Sequence, residues 1–215
     1  MAVDVRFHEI ITLDDPYYDD WLDLYQSAFP LNEQMRVSDH NRILRLKMKG
    51  EAQEEKLMAV LDTQGKLIAM SRYTNEPKCN VVVLWYLAVT PAARSRGVGS
   101  RFYNELVQRI RTDWPESIAM ILEVQNPAIT LDPNERAFAR RRIEFYWRNG
   151  AHLLGGIYYV QSTGWQEPLP MHLMAHPIQG ELAPGEAVSL AKCLFGAALK
   201  EIDEPEYLSH LPHAS

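Results

Sequence analysis

The chain has 215 residues, of which 47% are hydrophobic and 23% are charged. This length and composition are typical of one folded domain, with or without an appendage, and argue against extensive disorder. The formal net charge of -6 is opposite in sign to that of most general nucleic-acid binders, so we predict no nucleic-acid partner. No apolar run reaches the roughly 18 residues of a membrane span, and the N-terminus lacks the apolar core of a signal peptide. We therefore predict a cytoplasmic protein without a membrane partner.

Two cysteines, Cys79 and Cys193, lie far apart in unrelated sequence contexts. A disulfide framework or a cysteine metal site is normally built from more cysteines at closer spacing. We therefore predict neither arrangement for this chain, and we predict a reducing compartment.

The predicted elements alternate between helices, which show apolar residues three and four positions apart, and strands, which are short apolar runs. In chain order they are helices at 14–29 and 38–50, strands at 56–62, 66–73 and 80–90, a helix at 97–111, a strand at 117–124, a helix at 135–149, strands at 153–160 and 171–175, and a helix at 184–202. The polar residues after 202 are predicted to form a tail. This order predicts a mixed α/β domain built around one sheet.

The strongest local signal for a ligand follows the strand predicted at 80–90. There the sequence Pro91-Ala-Ala-Arg94-Ser-Arg-Gly97-Val-Gly99-Ser100 leads into a helix. The first N–H groups of a helix have no partner inside the helix, and the helix dipole makes that end partly positive. Glycines let a large anion approach these donors, and Arg94 and Arg96 add positive charge. The segment is a candidate phosphate site, with a purely structural turn as the alternative.

Two other nucleotide-binding sequences do not match this segment. The Walker sequence has Gly-Lys-Ser/Thr after its loop, whereas this chain has Gly99-Ser100-Arg101. The dinucleotide fingerprint has a third glycine where this chain has Phe102. Both interpretations are therefore excluded.

At these residues the chain resembles the GNAT superfamily of acyl-CoA-dependent N-acyltransferases. The family motif Arg/Gln-x-x-Gly-x-Gly/Ala is present as Arg94-x-x-Gly97-x-Gly99, and a Tyr-x-x-x-Gly helix ending is present as Tyr146-Trp-Arg-Asn-Gly150. The resemblance implies an α/β (α+β) GNAT fold, with a twisted mixed sheet flanked by helices, over residues 1–180. Residues 181–215 would add a C-terminal helix and tail, packed on the domain or on a partner subunit, so a homodimer stays open.

The resemblance also implies roles for particular residues and implies no metal. The strand residues Leu87, Ala88 and Val89 would hold the pantetheine arm of coenzyme A. The pyrophosphate would be bound by the segment that follows, namely Arg94, Ser95, Arg96, Gly97, Val98, Gly99 and Ser100. Tyr146 would donate a proton or a hydrogen bond to the departing thiolate, while an acceptor amine attacks the thioester of acetyl-CoA directly.

The residue that would act as general base is the feature in which this sequence departs most from the family. An alkyl amine with a pKa of roughly 10 must lose a proton before it attacks. Many family members have Glu where this chain has Trp85, so we predict that Glu123 takes the role, with an ordinary strand residue as the alternative. Ser95 replaces a frequent glycine, which we expect a turn with negative φ to tolerate.

Three further features have simpler interpretations. His172 and His176 would share one face of a helix, but their surroundings predict a strand, so we predict no metal site. The basic run Arg140–Arg142 is predicted to be a solvated helix face, with contact to cofactor phosphates as the alternative. Trp165 lies in a connection that either borders an acceptor pocket or anchors a loop.

The leading prediction is an N-acetyltransferase that uses acetyl-CoA and acts on a primary amine of a small molecule or peptide. A non-catalytic acyl-CoA-binding regulatory or scaffold module is the alternative, because Trp85 stands where many relatives have their base. A longer acyl donor also stays open.

Overall fold

The structure is a computed structural model that describes residues 5–128, 130, 132–155, 157–161 and 169–201. Its helices are α1 (Tyr18–Ala28), α2 (Val37–Met48), α3 (Val98–Asp113), α4 (Pro133–Arg148) and α5 (Pro184–Phe195). Its strands are β1 (Arg6–Ile10), β2 (Glu55–Leu61), β3 (Leu67–Glu76), β4 (Val81–Val89), β5 (Ala119–Gln125), β6 (His152–Leu153), β7 (Ile157–Gln161), β8 (Leu169–Pro177) and β9 (Leu199–Glu201). The predicted α/β fold class, with a sheet flanked by helices, is confirmed, and the observed sheet is mostly antiparallel.

The chain divides into two compact units. Among the described residues, the first unit comprises 5–75 and 84–109, and the second comprises 76–83 and those from 110 to 201. β4 therefore begins in the second unit and continues in the first.

In the first unit the strands are hydrogen-bonded in the order β1-β2-β3-β4, and the β1–β2 and β2–β3 pairs are antiparallel. Alternate residues of β2 point to opposite faces of the sheet. Leu57 and Ala59 pack with Trp21 of α1 and Leu44 of α2, whereas Val60 packs with the start of α3. Both faces of the sheet are covered, which explains why its strands are nearly continuous apolar runs.

In the second unit the path from β5 runs β5-β8-β7-β9, and β6 also pairs with β8. The β5–β8, β7–β8 and β7–β9 pairs are antiparallel. One face of this sheet is covered by α5, whose Ala187 and Ala191 pack in a cluster with Ile121 and Leu173. The C-terminal helix is thus present, but it is shorter than predicted. It stops at Phe195 because Gly196 turns the chain with a φ of 49°. The residues predicted as its last turns form a 3-10 turn at Gly196–Ala198 and then β9.

The prediction that the two cysteines are unrelated is wrong. Cys79, just before β4, and Cys193 of α5 form a disulfide within the second unit, with 114 residues of sequence separation and Cα atoms 5.9 Å apart. Spacing along the chain could not reveal this, because the fold brings the two positions together. Disulfides persist in oxidising environments, so this bond weighs against a reducing compartment.

Other boundaries also differ from the predictions. β1 went unpredicted because it is a short strand in which only Ile10 is fully buried. α4 begins at Pro133 rather than at 135, since the side chain of Asp132 caps it by accepting from two backbone amides. The strand predicted at 153–160 is divided into β6 and β7. Trp165 and the predicted tail lie outside the described residues.

Candidate functional site

The loop that leads into α3 has an unusual backbone. After a single turn of 3-10 helix at Pro91–Ala93, the Arg94 guanidinium donates from Nε to the carbonyl of Val89 at 3.1 Å. Ser95 then has a φ of 59° and Gly97 a φ of 76°. A Cβ built on Gly97 would meet no atom within 4 Å, so glycine is needed there for its backbone conformation and not for space.

Ser95 corrects an expectation. We predicted a turn with negative φ at this position, which serine would tolerate without strain. The structure instead has Ser95 in the left-handed region, where L-residues other than glycine are disfavoured by roughly 1–2 kcal/mol. The chain therefore accepts local strain inside the candidate anion site.

The same loop presents a run of backbone donors. The amides from Ser95 to Ser100 have no hydrogen-bond partner among the described residues. The first amide that makes a helical hydrogen bond is that of Arg101, which donates to Gly97 O at 3.0 Å. Arg94, Ser95, Arg96 and Gly97 are exposed, while Val98 is buried against the sheet and anchors the helix start. The arrangement is an accessible helix N-terminus flanked by two arginines, which suits a large anion.

The last residues of β4 lead directly into this loop. Leu87 and Val89 are partly buried against the apolar cluster beneath α3, and Ala88 lies in the cluster on the opposite face. The amide of Thr90 still pairs with Ile68 O at 2.9 Å. The structure thus brings Leu87, Ala88 and Val89 next to the loop in the first unit.

Trp85, where many relatives have an acid, makes polar contacts of its own. Its indole Nε1 donates to Thr74 Oγ1 at 2.8 Å, and the Arg72 guanidinium lies 5.9 Å from the ring centroid. Arg72 in turn forms a two-bond ion pair with Glu55, at 3.1 Å for each bond. An indole N–H is only a donor, so Trp85 cannot act as a base. Sequence reasoning missed this group, because its members come from three strands.

Glu123 and Tyr146 belong to the second unit. Glu123 of β5 is buried, with 7% of its surface exposed, and its Oε2 accepts a hydrogen bond of 2.8 Å from Gln161 Nε2. Tyr146 lies on the buried side of α4 with Ala139 and Ile143. Trp147, the next residue of α4, is 36% exposed.

The two histidines of β8 lie on a strand, as predicted. Burial lowers the pKa of His172 and of His176 to about 4, and Arg111 and His152 further disfavour the charged form of His176. The residues that the structure describes include no cluster of three or more His, Cys, Asp or Glu side chains that could hold a metal ion. Every helix in the described ranges is too short or too polar to span a bilayer.

Solved structures share this fold. An acetyltransferase assigned to the GNAT family from Bacteroides thetaiotaomicron is 23% identical, with a TM-score of 0.64, and the match covers 89% of this chain and 99% of that one. An aminoglycoside 6'-N-acetyltransferase complexed with coenzyme A is 20% identical, with a TM-score of 0.58 and coverage of 83% and 99%. A variant of the spermidine N-acetyltransferase of Vibrio cholerae is 10% identical, with a TM-score of 0.59 and coverage of 80% and 95%. At these identities the likeness establishes the fold alone.

The family follows from the sequence match itself. No curated protein matches the chain. The profile of the acetyltransferase (GNAT) family, however, matches residues 18–137, which is more than half of the 215 residues. The matched range contains the loop before α3 and Glu123, and it ends before Tyr146. This chain is a transferase that belongs to the acetyltransferase (GNAT) family.

Proposed function

We propose that this protein is an N-acetyltransferase that transfers the acetyl group of acetyl-CoA to a primary amine of a small molecule or peptide. The observation that carries the proposal is the run of unpaired amides from Ser95 to Ser100 at the start of α3, in which the residues Ser95 to Gly97 are exposed. A diphosphate would accept hydrogen bonds from these amides and would be attracted by Arg94 and Arg96. The residues present therefore fit coenzyme A, with Leu87, Ala88 and Val89 as the strand that holds its pantetheine arm.

The names of the structural neighbours support an amine acceptor. One neighbour is complexed with coenzyme A and is named for acetylation of an aminoglycoside, and another is named for acetylation of spermidine. Both acceptors are amines, and the net charge of -6 favours cationic molecules over anionic ones. A cytoplasmic location stays a prediction, against which the disulfide counts.

The chemistry assigns one task to each catalytic residue. When bound, acetyl-CoA supplies a thioester carbonyl as electrophile and a thiolate as leaving group. Glu123 accepts a proton from the acceptor ammonium, which frees the nitrogen lone pair for attack. Tyr146 donates its phenolic proton to the sulfur as the carbon–sulfur bond breaks. The second proton that the amine nitrogen loses on forming the amide restores the phenol through solvent, and Glu123 releases its proton to solvent. The products are the amide and free coenzyme A, and no covalent enzyme intermediate is needed.

The test is a release assay for free coenzyme A over a panel of primary amines. We expect Tyr146→Phe and Glu123→Gln each to lower kcat by roughly 100-fold or more, because general acid–base groups contribute about 10²–10⁴. Tyr18→Phe is the matched control for Tyr146→Phe, since it removes the hydroxyl of another buried tyrosine, which donates to Asn41 at 2.7 Å. Turnover that is unchanged in both variants would defeat the assignment of acid and base.

One observation favours a second function, that of a non-catalytic acyl-CoA-binding module. Trp85 has its ring nitrogen tied to Thr74 and cannot remove a proton at the position where many relatives have an acid. Tight binding of acetyl-CoA in calorimetry, combined with no turnover across the amine panel, is the result expected of such a module.

A further inference from the structure

The Glu123 carboxylate has a partner that comes from a different strand. Gln161, the last residue of β7, donates from Nε2 to Glu123 Oε2 at 2.8 Å. β8 lies between β5 and β7 in the sheet, so the amide crosses one strand to reach the carboxylate. In the register, Glu123 lies opposite Leu173 and Gln161 lies opposite Leu169. Leu169 and Leu173 are four residues apart on β8, so their side chains point to the same face of the sheet. Their strand partners, Gln161 and Glu123, therefore also share that face.

This face is otherwise largely apolar. Ile121 and Leu173 form its cluster with the alanines of α5, and Tyr159 packs against that cluster. Among the described residues of the neighbouring strands, Tyr159 lies on the same face as Glu123, whereas His172 and His176 lie on the opposite face of β8. The other titratable groups on neighbouring strands are His152 of β6, which is exposed, and Tyr86 of β4. The helices of this unit carry Glu186 and Lys192 of α5, both exposed, and Tyr146 with the arginines and glutamates of α4. In such surroundings a hydrogen-bond donor has a strong influence on a carboxylate.

Packing does not explain why a glutamine stands at this position. The carbonyl Oε1 of Gln161 is buried and has no hydrogen-bond partner among the described residues. Burying an unpaired acceptor is unfavourable, and a leucine of similar size would avoid that penalty. The hydrogen bond that Nε2 donates to Glu123 therefore explains why an amide stands at this position.

We propose that Gln161 is a positioning residue for the general base Glu123. This inference rests on the proposed function, because it gives Glu123 the base role. By donating to Oε2, Gln161 fixes the orientation of the carboxylate group and stabilises its ionised form, which is the form that accepts a proton from the amine. A sequence motif would not reveal the pair, since its members are 38 residues apart.

The test is the pH profile of kcat/KM for one amine, in wild type and in Gln161→Leu. Loss of the donor destabilises the ionised carboxylate, so the acid limb of the profile moves to higher pH by roughly one unit. Near the limb the rate then falls by about tenfold, and at higher pH it returns toward the wild-type value. Gln161→Glu keeps the size but brings a second carboxylate, so we expect a larger shift in the same direction. Gln179→Leu, an exposed glutamine of the same unit, is the matched control.

A double-mutant cycle with Glu123→Gln separates the possible outcomes. We expect Gln161→Leu to have no further effect on kcat/KM once Glu123 has been replaced. If Glu123→Gln abolishes activity while the profiles of both Gln161 variants match wild type, this inference is overturned and the proposed function stands. If Glu123→Gln retains full activity, the base assignment and the inference fall together. Circular dichroism and thermal melting of each variant confirm that a loss of activity does not reflect unfolding.

Discussion

At the scale of single residues, two backbone conformations shape the candidate anion site. Ser95 and Gly97 both have positive φ, on either side of Arg96. Alternation between left-handed and other conformations points successive N–H groups toward one concave surface, a geometry that binds anions. The strain at Ser95 is thus consistent with selection for ligand binding and not for stability.

Substitution of Gly97 should weaken coenzyme A binding, whereas replacing Ser95 with glycine should stabilise the fold. Gly97→Ala places a Cβ at a φ of 76°, and the strain of roughly 1–2 kcal/mol should weaken coenzyme A binding by about tenfold in calorimetry. Ser95→Gly relieves strain and should raise the free energy of unfolding by up to about 1 kcal/mol. An unchanged dissociation constant for folded Gly97→Ala would contradict the assigned role of the loop.

A second prediction at this scale concerns buried histidines and acid. His40 of α2 is fully buried among Trp21, Tyr25 and Tyr86, and burial followed by the Arg72 charge lowers its pKa to about 3. The unfolded chain, with a histidine pKa near 6.5, binds more protons in the window between these values. Stability is therefore full above about pH 6.5 and falls as the pH decreases toward 3, by on the order of 1 kcal/mol per pH unit for this histidine. His172 and His176 add to the loss in the same direction, down to a pH of about 4.

His40→Phe tests the contribution of this residue. The phenyl ring keeps an aromatic group in the cluster and cannot be protonated, so the loss of unfolding free energy between pH 7 and pH 5 should be smaller than in wild type. Urea titrations at the two pH values measure that loss. An identical loss in His40→Phe and wild type would show that His40 does not couple folding to protons.

At the scale of elements, the disulfide determines how α5 is held to the second unit. Ala187 and Ala191 of α5 pack on the sheet, but small side chains bury little apolar area. The Cys79–Cys193 bond adds a covalent link across 114 residues of sequence. Cross-linking a loop of about 100 residues stabilises a fold by as much as about 4–5 kcal/mol in the chain-entropy description.

We therefore predict that reductant lowers the urea midpoint of the wild-type protein. Cys193→Ser should show the lowered midpoint with or without reductant, and Cys79→Ser should behave in the same way. The double variant should be no less stable than either single variant, because both remove the same bond. A wild-type midpoint that does not respond to reductant, with full reduction verified by thiol titration, would contradict a stabilising role for this disulfide.

Local sequence signals suffice to predict most of the helices and strands. The predicted helices and strands are present because their apolar spacing and their ends are set by neighbouring residues. α5 was predicted too long because Val188, Leu194, Ala198 and Leu199 keep a helical spacing past Gly196. The positive φ of Gly196 and the pairing of β9 with β7 override that local preference.

At the scale of the whole molecule, the family and the fold class followed from the loop motif, the strand before it and the order of the elements. The structure and the family profile confirm both. The acceptor and the catalytic roles of Glu123 and Tyr146 stay predictions, because they depend on groups that no motif in this chain fixes. The release assay and the pH profiles above address them directly.

The sequence by itself determined the types of most elements, the family and the position of the candidate anion loop, since each depends on residues within a few positions of one another. Only the tertiary structure decided the Cys79–Cys193 bond, the left-handed conformation of Ser95, the Trp85–Thr74 contact and the Gln161–Glu123 pair. Three of these join residues that are distant in the chain, and the fourth is a backbone state that serine does not favour on its own. Such features arise when packing over the whole fold outweighs local preference.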